Sequence, residues 1–242
     1  MKLSVVLRCY NEEENIARIP EVLVPELQKL GCDYEIILID DGSTDRSFEV
    51  ARALAVLNLR IIRHEKNGGI GAAVKTGIRN ASGDLLVILD ADYTFHPRYI
   101  RDLLARFDKG DIDFVIGSPR LASFGKDIQK YRVFISIVAN MVYSALLGRR
   151  VTAVSPIFRL YKTGQLKELP LETNGFDISV EILFRLILAG RTFAEVPTPL
   201  GVRQFGRSKL NYRKELIRHL KLVRKIISWR LQSLFVRRSS RN

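Results

Sequence analysis

The sequence predicts an α/β fold built on a mostly parallel central sheet. Three observations carry this. Short β-branched runs alternate with helical patterns over the first 120 residues, which is the order that βαβ units impose. The 242 residues are 47% apolar, enough for one sizeable core. Acidic residues gather where several of the apolar runs stop, and parallel sheets hold their ligands at the carboxyl ends of their strands.

The elements follow in order. Strands are expected at residues 3–7, 34–39, 59–63, 85–89 and 114–117, each a run rich in Val, Ile and Leu. Helices are expected between them at 13–30, 44–57, 72–81 and 97–107. Pro20 and Pro25 break or kink the first helix, because proline supplies no N–H for the helical ladder. A further helix covers 133–147. In the last helix Leu216, Leu220, Val223, Ile227, Leu231 and Leu234 recur at steps of three or four, with Arg218, Lys221 and Lys225 opposite. The expected division is a catalytic-type domain at 1–210 and a basic amphipathic helix and tail at 211–242.

Several classes are excluded. The N-terminal apolar run turns polar at Arg8, too short for a signal peptide. The longest uncharged stretch, 133–148, has 16 residues, short of the roughly 20 a membrane span needs. Cys9 and Cys32 are too few for a disulfide framework and are expected reduced, in a cytosolic setting. His64, His96 and His219 lack metal-ligand spacing, so no zinc site is expected.

The net charge of +13 is unevenly placed. Residues 201–242 hold 13 Lys and Arg against the single acid Glu215, leaving 1–200 at +1. Such a tail seeks nucleic acid or an anionic membrane. Nucleic acid binding would want aromatics interleaved with the cations, and the tail offers only Tyr212, Trp229 and Phe235. A membrane surface is the expected partner, with docking of the helix on its own domain as the alternative.

The chemistry lies at the strand ends. Strand one runs into Tyr10-Asn11-Glu12, strand two into Asp40-Asp41-Gly42-Ser43-Thr44-Asp45, and strand four into Asp90-Ala91-Asp92. Residues i and i+2 of an extended chain point the same way, about 6.5–7 Å apart. Asp90 and Asp92 therefore repel unless something offsets them. Mg²⁺ or Mn²⁺ does so when held by one or two carboxylates and a diphosphate. Asp41 is expected to accept from a nucleobase N–H, with Asp40 structural. Asp41-Gly42 also makes a tight turn, and Ser43 or Thr44 caps the next helix. The run "NGGIGAAVKTGI" is neither a dinucleotide fingerprint nor a P-loop. Its glycines either start a helix or let the backbone approach a donor.

In order, "CYNEEENI", "IDDGSTD", "NGGIGAAVKTGI", "LDADYTFHP", "VIGSPR" and "RQFGRSKLN" resemble the family 2 glycosyltransferases of GT-A fold, over residues 3–215. Within them the chain is most similar to polyprenyl-phosphate enzymes of the dolichol-phosphate mannose synthase kind. The resemblance implies that Tyr10, Glu12 and Asp41 hold the nucleotide. It implies that Asp90, Ala91 and Asp92 face the metal and diphosphate, with Asp92 the direct ligand and Thr94 completing the shell. Arg120, Arg132, Arg203 and Lys209 match basic positions around the donor and acceptor phosphates. Of these, Asp90, Asp92, Arg120, Arg203 and Lys209 are the expected catalytic set. The chain departs from the family pattern in three places. Arg8 stands where Pro is usual, Pro119 separates Ser118 from Arg120, and Ala153 and Ile157 occupy an Asp and a Gly place.

The implied reaction moves a hexose, mannose from GDP-mannose, onto a polyprenyl or dolichyl phosphate at the cytoplasmic face of a membrane, by inversion and with a metal. UDP-glucose is the rival donor. A membrane-associated sugar-nucleotide-binding protein without turnover is the rival of another class. A hydroxyl acceptor would require a base, for which Asp177 and Glu181 are the candidates. Otherwise they form a helix's first turn and a solvated face.

Overall fold

The computed structural model describes residues 1–122, 130–205 and 212–239. The chain opens with β1 (Lys2–Cys9), then α1 (Glu13–Ile16), a π-helical turn (Ile19–Leu23) and α2 (Val24–Gln28). The expected helix over 13–30 is thus cut into three. Pro20 and Pro25 each sit in the first turn of the piece that follows the break, where a missing N–H costs nothing. β2 (Asp33–Asp40), α3 (Ser47–Ala53), β3 (Leu59–Arg63), α4 (Ile70–Asn80) and β4 (Leu85–Asp90) follow. The helix expected at 44–57 is shorter because the residues before it form a hydrogen-bonded loop instead. Ser43 N–H donates to Asp40, and Asp45 accepts from the Ser47 N–H and hydroxyl.

A 3₁₀ turn (Pro97–Tyr99) leads into α5 (Ile100–Phe107), then β5 (Phe114–Ser118) and α6 (Lys130–Leu147). β6 (Arg159–Lys162), α7 (Thr163–Lys167), α8 (Ile178–Leu188), β7 (Phe193–Pro197) and α9 (Tyr212–Ser239) complete the chain.

Among the described residues seven strands form one sheet in the order β3-β2-β1-β4-β6-β5-β7. Its pairs are parallel except at β6, which runs antiparallel to both β4 and β5. Alternate residues of β1 feed two apolar layers. Val6 joins α4, α8 and α9 on one face, while Leu3, Val5 and Leu7 join the α1–α2 segment and α5 on the other. Both cysteines are free thiols.

α9 packs into the first layer through Leu222 and Ile226, both buried. Trp229 stacks under the Arg185 guanidinium, 4.1 Å from its ring centre. The side that carries Ile217, Leu220 and Ile227 stays exposed. So the helix docks by one apolar side and keeps another.

Candidate active site

Strand ends β1, β2 and β4 lie side by side, because β1 pairs in parallel with both neighbours. Two left-handed residues shape the edge: Asn11 at φ 54 and Tyr93 at φ 51. A non-glycine residue is held there only when its surroundings demand it. Asn11 is fixed from both sides. Its N–H donates to the Ser43 hydroxyl (2.9 Å), and its side-chain oxygen accepts from Thr44 N–H (2.7 Å). The turn after β1 is thereby tied to the turn after β2, and Glu12 is set beside them.

Glu12 takes a hydrogen bond from Asn15 on one oxygen (2.7 Å) and from Arg203 Nη1 on the other (2.9 Å). The same guanidinium grips Asp92 Oδ2 through Nε (3.1 Å) and Nη2 (2.7 Å). Burial opposes the charge on Arg203, but Asp92 and Glu12 outweigh it and hold its pKa above the ordinary value. Asp92 Oδ1 accepts from the N–H (3.0 Å) and hydroxyl (2.9 Å) of Thr94. Asp90 is ion-paired with Arg8, its neighbour across the β1–β4 ladder. Burial pushes the Asp90 carboxyl up to about 6, against the pull of Arg8 and with the help of Asp92's charge. Ala91 between them is buried and donates its N–H to the Arg8 carbonyl (3.2 Å).

The repulsion between the acids is therefore offset, in this structure, by two arginines. Asp92 and Thr94 offer hard oxygen donors, a set that suits Mg²⁺ or Mn²⁺ completed by diphosphate oxygens and water. Among the described residues no group of three or more His, Cys, Asp or Glu forms a self-sufficient metal cage.

Asp41 is buried and already engaged. It accepts from Gly68 N–H (3.0 Å), Gly69 N–H (2.8 Å) and His64 Nδ1 (2.7 Å). A carboxylate only accepts, so His64 Nδ1 carries the hydrogen toward Asp41, while Nε2 meets the Thr76 hydroxyl at 2.9 Å. No sequence pattern marked His64 beyond its unsuitability for zinc. Asp40 accepts from Ser43 N–H and pairs with Arg63, a structural post.

The glycine-rich run resolves into a helix start packed on the chain's own backbone. A β-carbon on Gly69 would strike the Asn174 carbonyl, and one on Gly71 would fall 2.5 Å from the Thr173 carbonyl. Gly71 N–H donates to Asn174 O (2.9 Å). The loop at 172–174 is held there by Glu181, which is fully buried. Its carboxylate accepts from Glu172 N–H, Thr173 N–H (2.8 Å), the Thr173 hydroxyl (2.7 Å) and Arg185 Nε (2.8 Å). The expected solvated face is thus wrong for Glu181, and its full set of donors leaves no room for a base. Asp177, also buried, accepts from Gly175 N–H (3.1 Å).

Tyr10 is half-buried beyond β1, and Arg120 is exposed two residues past β5. Arg132 falls in the first turn of α6. The positions of its side chain and of Lys209 lie outside the described residues.

The unusual segment before β6 is well organised. Arg159, fully buried, donates to the carbonyls of Ser179 (2.7 Å), Ala153 (3.1 Å) and Val154 (2.5 Å). Glu195 accepts from Thr152 N–H (2.9 Å) and Ala153 N–H (3.2 Å).

Residues 4–169 match the pattern described as Glycosyl transferase family 2. The chain belongs to that family. A dolichol-phosphate mannosyltransferase of Pyrococcus furiosus is 33% identical over 234 residues, 95% of this chain and 64% of that protein. An undecaprenyl-phosphate 4-deoxy-4-formamido-L-arabinose transferase of Salmonella paratyphi B is 30% identical over 214 residues, 87% of this chain and 63% of that one. The chain thus spans less than two thirds of these family 2 relatives. Among solved structures, glucosyl-3-phosphoglycerate synthase from Mycobacterium tuberculosis, in complex with Mn²⁺, UDP and phosphoglyceric acid, aligns with a TM-score of 0.67. It is 23% identical, and the alignment covers 96% of this chain and 78% of that one. That likeness establishes the GT-A type of fold for this family 2 chain.

Proposed function

We propose that this chain is the catalytic domain of an inverting, metal-dependent glycosyltransferase that moves a hexose from a nucleotide sugar to a polyprenyl phosphate. GDP-mannose is the first donor proposed and UDP-glucose its rival. The observation that carries the reading is the convergence of Glu12, Asp90 and Asp92 on one sheet edge, with Arg203 reaching across to two of them.

Asp92 and Thr94 would hold Mg²⁺ or Mn²⁺, which supplies charge stabilisation for the departing diphosphate. Arg203, released from Glu12 and Asp92 when the donor enters, turns its guanidinium to the same phosphates. Tyr10, Glu12 and Asp41 flank the nucleotide. Arg120, Arg132 and Lys209 supply positive charge for the acceptor. An acceptor phosphate oxygen attacks the anomeric carbon as the bond from that carbon to the diphosphate oxygen breaks. The products are a glycosyl polyprenyl phosphate and a nucleoside diphosphate. A phosphate monoester has a second pKa of about 6, so it arrives ionised and needs no base. The occupied state of Glu181 supports that economy.

Lipid acceptors lie in membranes, and the chain has surfaces for one. Among the described residues no helix is long and apolar enough to cross a bilayer. Met141 and Val142 of α6 and Ile217 and Leu220 of α9 are exposed, and α9 carries Lys221, Arg224 and Lys225 beside them. Peripheral docking at the cytoplasmic face of an anionic bilayer fits this mixture.

The test is a donor panel: labelled GDP-mannose or UDP-glucose, Mn²⁺ and a short polyprenyl phosphate. Label extracted into organic solvent is expected from one donor. Tight donor binding with no transfer from any donor would favour a binding protein without turnover.

A further inference from the structure

Arg8 is the charged residue near the end of β1, directly after the buried run Val5-Val6-Leu7. The β1–β4 register sets it directly beside Asp90, and the two side chains form an ion pair that is largely shielded from water. The Phe176 ring covers the guanidinium, its centre 5.9 Å away.

The two arginines of the site differ in how they are held. Arg203 rides on the 201–205 segment, which has no regular structure and is tied back by Gly201 N–H to the Thr94 carbonyl (2.8 Å). On the proposed reaction it is the cation that leaves these acids for the donor's phosphates. Arg8 is locked between β2 and β4 by ladder hydrogen bonds. It has no other carboxylate across either ladder, since its β2 partner is Ile39. Pulling Asp90 away would strand a guanidinium in a poorly solvated place, which is costly.

We propose that Arg8 is a positioning residue that keeps Asp90 out of the metal's coordination shell, leaving the divalent ion to Asp92 and Thr94 among protein groups. This rests on reading the acidic edge as a metal–diphosphate site. Three carboxylates, Glu12, Asp90 and Asp92, face two arginines here. With both arginines in place the edge presents one net negative charge to an incoming ion, and two once Arg203 is displaced. Without Arg8 each count rises by one. A site so discounted holds the ion weakly by itself and firmly only with the donor's diphosphate, which makes donor and metal enter together. Asp90 keeps a fixed orientation, which suits it to a hydroxyl of the donor instead of the cation.

The experiment measures Mn²⁺ affinity by electron paramagnetic resonance, without nucleotide and without turnover. Arg8→Met is expected to bind Mn²⁺ about tenfold tighter than the natural protein, because ligand charge sets such affinities. The double variant Arg8→Met/Asp90→Asn replaces the pair by neutral groups of similar size and is expected to return to the natural affinity within about twofold. Arg8→Met with unchanged affinity, or a double variant that loses the metal, would overturn the proposal. If the single variant fails to fold, the double variant alone decides. Asp92→Asn is the separate control. If it leaves Mn²⁺ binding intact, the metal site itself has been misread, whatever Arg8 does.

Discussion

At the scale of the residue, Arg203 joins acids that are distant in the sequence. Its fork serves Glu12 and Asp92 at once, which the single ammonium of lysine does not reproduce. Arg203→Lys is therefore expected to lose nearly as much kcat/KM as Arg203→Ala, about a hundredfold, in the lipid-transfer assay. A full rescue by lysine would show that only the charge matters. Asp113 makes a prediction about stability. Burial works against its charge, but hydrogen bonds from Gln165, Thr192 and Lys162, with the Lys162 charge, hold its carboxyl well below the usual range. A group whose pKa is depressed by folding contributes stability that is complete above its unfolded value, about 3.9, and is lost as pH falls toward its folded value. Asp113→Asn should lower the urea midpoint at pH 7, and the gap to the natural protein should narrow below about pH 4. A gap that is constant across that range would mean the carboxylate's charge is irrelevant.

At the scale of the element, the turn at the start of α4 shows how tightly backbone packs on backbone. Gly71→Ala would press a methyl to 2.5 Å from Thr173 O and 2.7 Å from Asn174 Cα, atoms that cannot rotate away. A loss of about 1–3 kcal/mol in unfolding free energy is expected, read from urea curves. Removing the brace from the other side, Glu181→Ala leaves Thr173 N–H and Arg185 Nε without their acceptor, while Arg185 Nη2 keeps Glu172, and should cost a comparable amount. Five strands and the position of the acids were legible in the sequence. Runs such as residues 85–89 are buried on both faces and read as apolar throughout. β6 was not legible. It is four residues long, starts at Arg159 and ends at Lys162, and owes its state to β4 and β5 on either side. β7 contains Glu195, whose partners lie at residues 152–153, so its pattern looks like a loop. The Arg8–Asp90 pair stayed hidden for a related reason. Each residue was visible, but their adjacency depends on the order of strands in the sheet, which no local pattern encodes. Glu181 misled for the opposite reason: a charged residue in a helix usually faces water, and this one meets its partners only after folding.

At the scale of the whole molecule, α9 is both a packed helix and an open one. Leu222 and Ile226 belong to the core, whereas Ile217 and Leu220 do not. Ile217→Asp with Leu220→Asp should leave the folded body intact and reduce binding to anionic lipid vesicles by about tenfold or more. Salt should weaken binding of the natural protein in the same cosedimentation assay, since the basic residues act over only about 10 Å at moderate ionic strength. Vesicle binding unaffected by either change would place the membrane contact elsewhere.

The short run 172–177 reaches four neighbours. Glu172 pairs with Lys225 of α9 (2.5 Å), Asn174 receives Gly71, Gly175 lies under Arg218, and Phe176 roofs Arg8. It works as a strut, one foot on the terminal helix and the other on the start of α4 and the end of β1. Cutting the chain at 205 would take away more than an anchorage. The expected result is a protein that still folds its sheet but grips nucleotide more loosely in solution, with no bilayer in the tube at all.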